Sequence, residues 1–135
     1  MKKKNITAVV INYVSLILIL VVFYAVQILG LNKLFILVVI MLLLVLIISF
    51  NSAFKKTGLW KLVHRSQKHL DERELQIIHK AIRLSYSIFV ILCLVLIMLF
   101  AVAEGRPIDM LLASSLIYLA HTLPAAVIAF SGEEV

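Results

Sequence analysis

In this chain of 135 residues, 64% are hydrophobic and 15% charged, whereas soluble domains average about 45–50% and ~25%. That leaves too little polar surface to coat a water-soluble globule, and one cysteine, Cys93, excludes an internal disulfide or a cysteine-built metal site. The net charge of +6 sits on basic residues that border long apolar blocks, so it is expected to meet lipid headgroups and not nucleic acid.

The first block runs from Ile6 to Leu29 and is interrupted by little more than Asn12, Ser15 and Gln27. A helix rises about 1.5 Å per residue, so ~20 apolar residues cross a ~30 Å hydrocarbon layer. Met1-Lys2-Lys3-Lys4 ahead of it imitates a secretory leader. The apolar run is too long for one and no small-residue cleavage site follows, so it reads as a retained first span. Gly30 suits the left-handed position that closes a helix. The second block, Leu34 to Phe54, has no polar side chain between Phe35 and Ile48. It is expected to face lipid or another copy of the chain and to carry no chemistry.

Residues 55–83 form the only segment of aqueous character. Leu59, Trp60, Leu62 and Val63 lie among Lys55, Lys56, Lys61 and Arg65, a mixture that suits a short helix on the inner-leaflet surface beside anionic headgroups. His64, His69 and His79 have Asp71 and Glu74 nearby, but their spacing fits no strong metal-ligand pattern. No metal and no cofactor is therefore expected. Asp71 and Glu74 are placed to form a capping box, with Leu70 and Leu75 as its hydrophobic staple. No Gly or Pro follows until Gly105, so one helix of roughly 32 residues should begin here and continue into the membrane. Its start offers Asp71, Glu72, Arg73, Glu74 and Lys80, beside Gln76, as a candidate docking surface.

The third and fourth blocks are Leu84 to Ala103 and Ile108 to Phe130. Pro107 suits the first turn of the fourth helix, where its missing N–H costs nothing. Apart from residues at their margins, the four spans contain no Asp, Glu, Lys or Arg. The exception among ionisable groups is His121, expected ~3 Å to the cytosolic side of the midpoint of span four. At 3.6 residues per turn it shares a stripe with Ser114 and Tyr118, with Thr122 at its edge. Pro124 should free a backbone carbonyl near the imidazole. Depth matching predicts a polar seam in which Asn12 and Ser15 of span one face Tyr118, His121 and Thr122 of span four. Such groups either glue helices together or line a path.

Lys and Arg set orientation. The N-terminal tail holds three and the central segment eight, against one in each of the two short outer turns. Both termini and the central segment should be cytosolic, in the plasma membrane. The short turns force antiparallel hairpins. The expected fold is thus an all-α integral membrane protein, a single membrane domain of four transmembrane helices arranged as two hairpins. A basic cytosolic segment separates spans two and three.

The run Asp71-Glu72-Arg73-Glu74, followed by Ile77, Ile78, Lys80 and Ala81, resembles a group of small prokaryotic four-span membrane proteins filed as a domain of unknown function. In that group a D-E-R segment likewise precedes a helix that enters the membrane. The resemblance covers this segment and the span layout, and it implies fold and location only. The Lys-, Ile- and Leu-rich composition looks bacterial. No nucleophile–base pair or embedded carboxylate is present, so the chain is expected not to be an enzyme. It reads as an accessory, regulatory or immunity-type protein acting by contact with a membrane partner. The alternative is a small oligomeric transporter or pore using the His121 seam.

Overall fold

Backbone N–H and C=O groups in hydrocarbon must be satisfied within their own segment, and the apolar blocks meet that demand as helices. The computed structural model describes residues 5–30, 32, 34–66, 70–100, 102 and 108–132. Among these the order is α1 (Ile6–Leu29), α2 (Phe35–Phe50, continuing as a π turn over Asn51–Lys55), α3 (Leu59–Val63), α4 (Glu72–Leu99) and α5 (Met110–Phe130). Four helices are long and apolar enough to cross a bilayer, and no strand occurs among the described residues. The chain is an all-α multi-pass membrane protein. Helix α1 packs with α2, and α4 with α5. The chain accordingly divides into two compact units, Met1–Leu59 and Trp60–Val135.

In the first unit Asn5 caps α1, its side-chain oxygen accepting from the N–H of Ala8 at 3.1 Å. Gly30 closes the helix at φ 61° and donates its N–H to Val26, as its freedom at positive φ allows. The last turn of α2 widens, the N–H of Lys56 reaching the carbonyl of Asn51 at 2.9 Å. Such a turn accommodates one extra residue. Ala53 and Phe54 there have no exposed surface, and the Phe54 ring lies 5.5 Å from that of Phe50.

Helix α3 forms where the Leu–Trp–Lys pattern predicts it, with Leu59 and Leu62 buried and Lys61 exposed. Gly58, at φ 83°, makes the bend before it. Both halves of the Asp71–Glu74 capping box are present at the start of α4. The helix runs 28 residues, passing without a break from its charged first turns into the apolar stretch. Helix α5 begins two residues later than expected. Asp109 is its cap, accepting from the N–H of Leu112 at 2.8 Å. A carboxylate there satisfies an orphan donor and meets the positive end of the helix dipole. Pro107, expected in that first turn, lies outside the described residues, as do Lys68, His69 and the N-terminal lysines.

The exposed surface is largely hydrocarbon. Along α2, Ile36, Ile40, Leu43 and Ile47 are all 47% exposed or more, and α4 presents Ile91, Leu94, Val95 and Met98 in the same way. In water each such side chain would forgo about 1.5–3 kcal/mol of burial. A bilayer removes that penalty.

Candidate functional site

Polar side chains in these helices fall into three groups. The first lies between α1 and α2. Asn12, completely buried, donates from Nδ2 to the carbonyl of Leu46 and to Oγ of Ser49, both at 3.0 Å. Ser49 Oγ donates in turn to Leu46, also at 3.0 Å. At the N-terminal end of α1, Nδ2 of Asn5 donates to Oγ of Ser52 at 3.0 Å. These Asn–Ser pairs, one buried and one partly buried, fix the antiparallel register of the hairpin. Span two therefore does carry polar chemistry, contrary to its uniform apolar reading. Ser49 and Ser52 sit beyond the featureless stretch of residues 35–48. Ser15 is buried and returns its hydroxyl proton to the carbonyl of Ile11 at 2.7 Å.

Exchanging Asn12 for Leu should lower unfolding free energy in mixed micelles by roughly 0.6–2 kcal/mol, the range of polar contacts between membrane helices. In a double-mutant cycle with Ser49→Ala the two losses should be non-additive. Strict additivity would mean that the pair contributes no coupling.

The second group lies on α5. Ser114 is exposed and donates to the carbonyl of Met110 at 2.7 Å. Thr122 is 1% exposed and donates to the carbonyl of Tyr118 at 3.1 Å, while Tyr118 itself is half-buried. His121 is exposed, with Nδ1 2.9 Å from the carbonyl of Ile117. A carbonyl only accepts, so this nitrogen carries the proton and leaves Nε2 with a lone pair in the neutral ring. His64 has the same arrangement, its Nδ1 3.0 Å from the carbonyl of Trp60. The two imidazoles are 6.5 Å apart with planes 3° from parallel, and the Trp60 ring lies 4.0 Å from His64. Sequence spacing compared His64 with its neighbours His69 and His79. Its partner on α5 is too distant along the chain for any spacing rule to find.

The packing of α4 on α5 sets which of their turns lie side by side. One hollow between them is lined by Ser85, Tyr86, Phe89, Ala120 and Pro124, among others. A second is lined by Ile77, Ala81, Val127 and Ser131. Residues 120–124 thus lie level with 85–89, and His121 stands beside the first turn of the apolar stretch of α4. The last turns of α5 run alongside the charged first turns of α4.

The third group is the capped start of α4. Asp71, Glu72, Arg73, Gln76 and Lys80 are exposed and Glu74 is half-buried. Asp71 Oδ1 accepts from the N–H of Glu72 at 2.7 Å, and Glu74 accepts from the N–H of Asp71 at 3.2 Å. Asp71 and Glu74 thus serve the helix start. Glu72, Arg73 and Lys80 are exposed beside it. Among the described residues every buried side-chain nitrogen and oxygen has a hydrogen-bond partner, and no three His, Cys, Asp or Glu residues gather as a metal group.

Comparison with protein-family models, with curated proteins and with solved structures finds no match. The resemblance of the Asp71–Glu74 segment to four-span proteins gains no support from it.

Proposed function

We propose that this protein works by contact and not by catalysis, as an accessory, regulatory or immunity-type membrane protein. The start of α4 is its docking element for a membrane partner. One observation carries this reading: a capping box fixes the helix start and leaves Glu72, Arg73 and Lys80 exposed on a rigid projection. Caps of this kind stabilise a helix start by about 0.5–2 kcal/mol, so the charged face is held in one geometry for a partner. The polar side chains of the spans support the reading too, since several make bonds within or between helices. The excess of Lys and Arg supports a cytosolic position for both termini and the central segment, and the reading takes the plasma membrane as their site. There Lys55, Lys56, Lys61 and Arg65 lie near anionic headgroups. A second copy of the chain is a further partner, through the exposed apolar face of α2.

Purification in mild detergent should bring down a membrane protein with the wild-type chain. The exchange Glu72→Arg with Arg73→Glu should abolish its recovery while leaving the yield of the bait unchanged. Equal recovery by the doubly exchanged chain would show the docking face to be misassigned.

A second reading, a small oligomeric transporter or pore, is favoured by the approach of His64 to His121. At the level of the first apolar turn of α4, the pair would stand at the cytosolic mouth of a path. Flux through reconstituted protein should then fall on His121→Leu, and an unchanged flux would remove the histidine from the path.

A further inference from the structure

His64, which follows α3, and His121 of α5 bring two imidazoles together, with ring centroids 6.5 Å apart and planes 3° from parallel. Each holds Nδ1 against the carbonyl four residues earlier, that of Trp60 at 3.0 Å and that of Ile117 at 2.9 Å. A carbonyl only accepts, so the proton sits on Nδ1 and the lone pair of the neutral ring on Nε2. That is the form in which histidine ligates a metal, and a backbone carbonyl behind the other ring nitrogen is the usual support of such a ligand. Both members of this pair have that support.

The separation fits one shared ion. An imidazole bound through Nε2 holds its ring centre ~3.2 Å from the metal, given a metal–nitrogen bond of about 2.1 Å. Rings on opposite sides of one ion thus stand ~6.4 Å apart, and rings at a tetrahedral angle ~5.2 Å. The observed 6.5 Å matches the first arrangement, which belongs to the square-planar or tetragonal sites of Cu²⁺ and Ni²⁺. Both side chains are exposed, so each Nε2 can turn to the gap between the rings without movement of a helix. Water can complete the coordination.

The surroundings narrow the class of ion. Lys61 and Arg65 flank His64 in sequence, and among the described residues no third His, Cys, Asp or Glu joins the pair. Mg²⁺ or Ca²⁺, which need several oxygen ligands, would gain nothing there. A late transition-metal ion gains two nitrogen bonds from ligands that suit it.

We infer that His64 and His121 together bind one late divalent transition-metal ion, Cu²⁺ or Ni²⁺, through their Nε2 atoms, with water in the remaining positions. The ion clips the end of α3 to α5. The site goes beyond both functional readings and fails separately from them, because it uses none of the docking residues and its occupancy is measured without flux.

The test is titration of the full chain with NiCl₂ in mild detergent, after purification without a polyhistidine tag. Trp60 is the only tryptophan and its ring lies 4.0 Å from that of His64, so an open-shell ion at the pair quenches its fluorescence. Quenching should saturate at one ion per chain, and Cu²⁺ should bind more tightly than Ni²⁺. His64→Gln and His121→Gln should each weaken the affinity by at least about tenfold, the scale of losses around metal sites. The double variant should lose little more, and His79→Gln, at an exposed position of α4, should change nothing. Electron paramagnetic resonance of bound Cu²⁺ should show two imidazole nitrogens in wild type and one in either single variant. Quenching that does not saturate, or unchanged affinity in His121→Gln, would overturn the proposal. So would losses that add in the double variant, since these mean two independent ions.

Discussion

Replacing Phe54 by Ala should destabilise the protein more than any other single truncation at the α1–α2 hairpin, by about 3–5 kcal/mol. The ring has no exposed surface and sits in the widened turn that ends α2, packed where lipid cannot fill the space it leaves. The loss combines transfer of a large aromatic side chain with an unfilled cavity. Phe50, 5.5 Å away and only half-buried, should cost clearly less on the same truncation. Equilibrium unfolding in mixed micelles separates the two. A loss below about 1 kcal/mol at Phe54, or a larger loss at Phe50, would mean that the π turn does not form a packed corner.

The second large effect belongs to the opposite kind of position. Leu43 is 47% exposed on α2, close to the middle of a stretch with no polar side chain. A lysine there should cost ~2.5–3.5 kcal/mol relative to a neutral residue, about a hundredfold or more in the insertion equilibrium. Leu43→Ala should be tolerated, since lipid closes over a truncated side chain at an exposed face. Insertion efficiency of the two variants measures the difference. Free tolerance of Leu43→Lys would place water or a polar partner on that face.

Much of the fold was legible because hydrocarbon allows so few solutions. Uninterrupted apolar blocks of span length must be helices, and α1 matches its expected range from Ile6 to Leu29. The capping box was legible because its signal is local, a carboxylate at each end of a four-residue frame. Asp109 carries an equally local signal, a carboxylate just ahead of an apolar run. The π turn was not legible, since a widened turn leaves the apolar pattern of residues 49–55 unchanged. Nor were the partners of the polar residues. Two of the bonds of Asn12 reach Leu46 and Ser49 of α2, a neighbour that matching span one to span four by depth does not name. Depth matching aligns residues by height alone, and antiparallel neighbours at equal height are indistinguishable without packing. The approach of His64 to His121 depends on the docking of α3, which composition suggests but does not position.

Orientation in the membrane underlies the contact reading. It is tested most directly by single-cysteine labelling in a Cys93→Ser background. Asn32 and Ser66 are both exposed, one in the first short turn and one in the central basic segment. A membrane-impermeant maleimide should label Asn32→Cys in intact cells. It should reach Ser66→Cys only after permeabilisation. Labelling of Ser66→Cys from outside, with Asn32→Cys protected, would contradict the account.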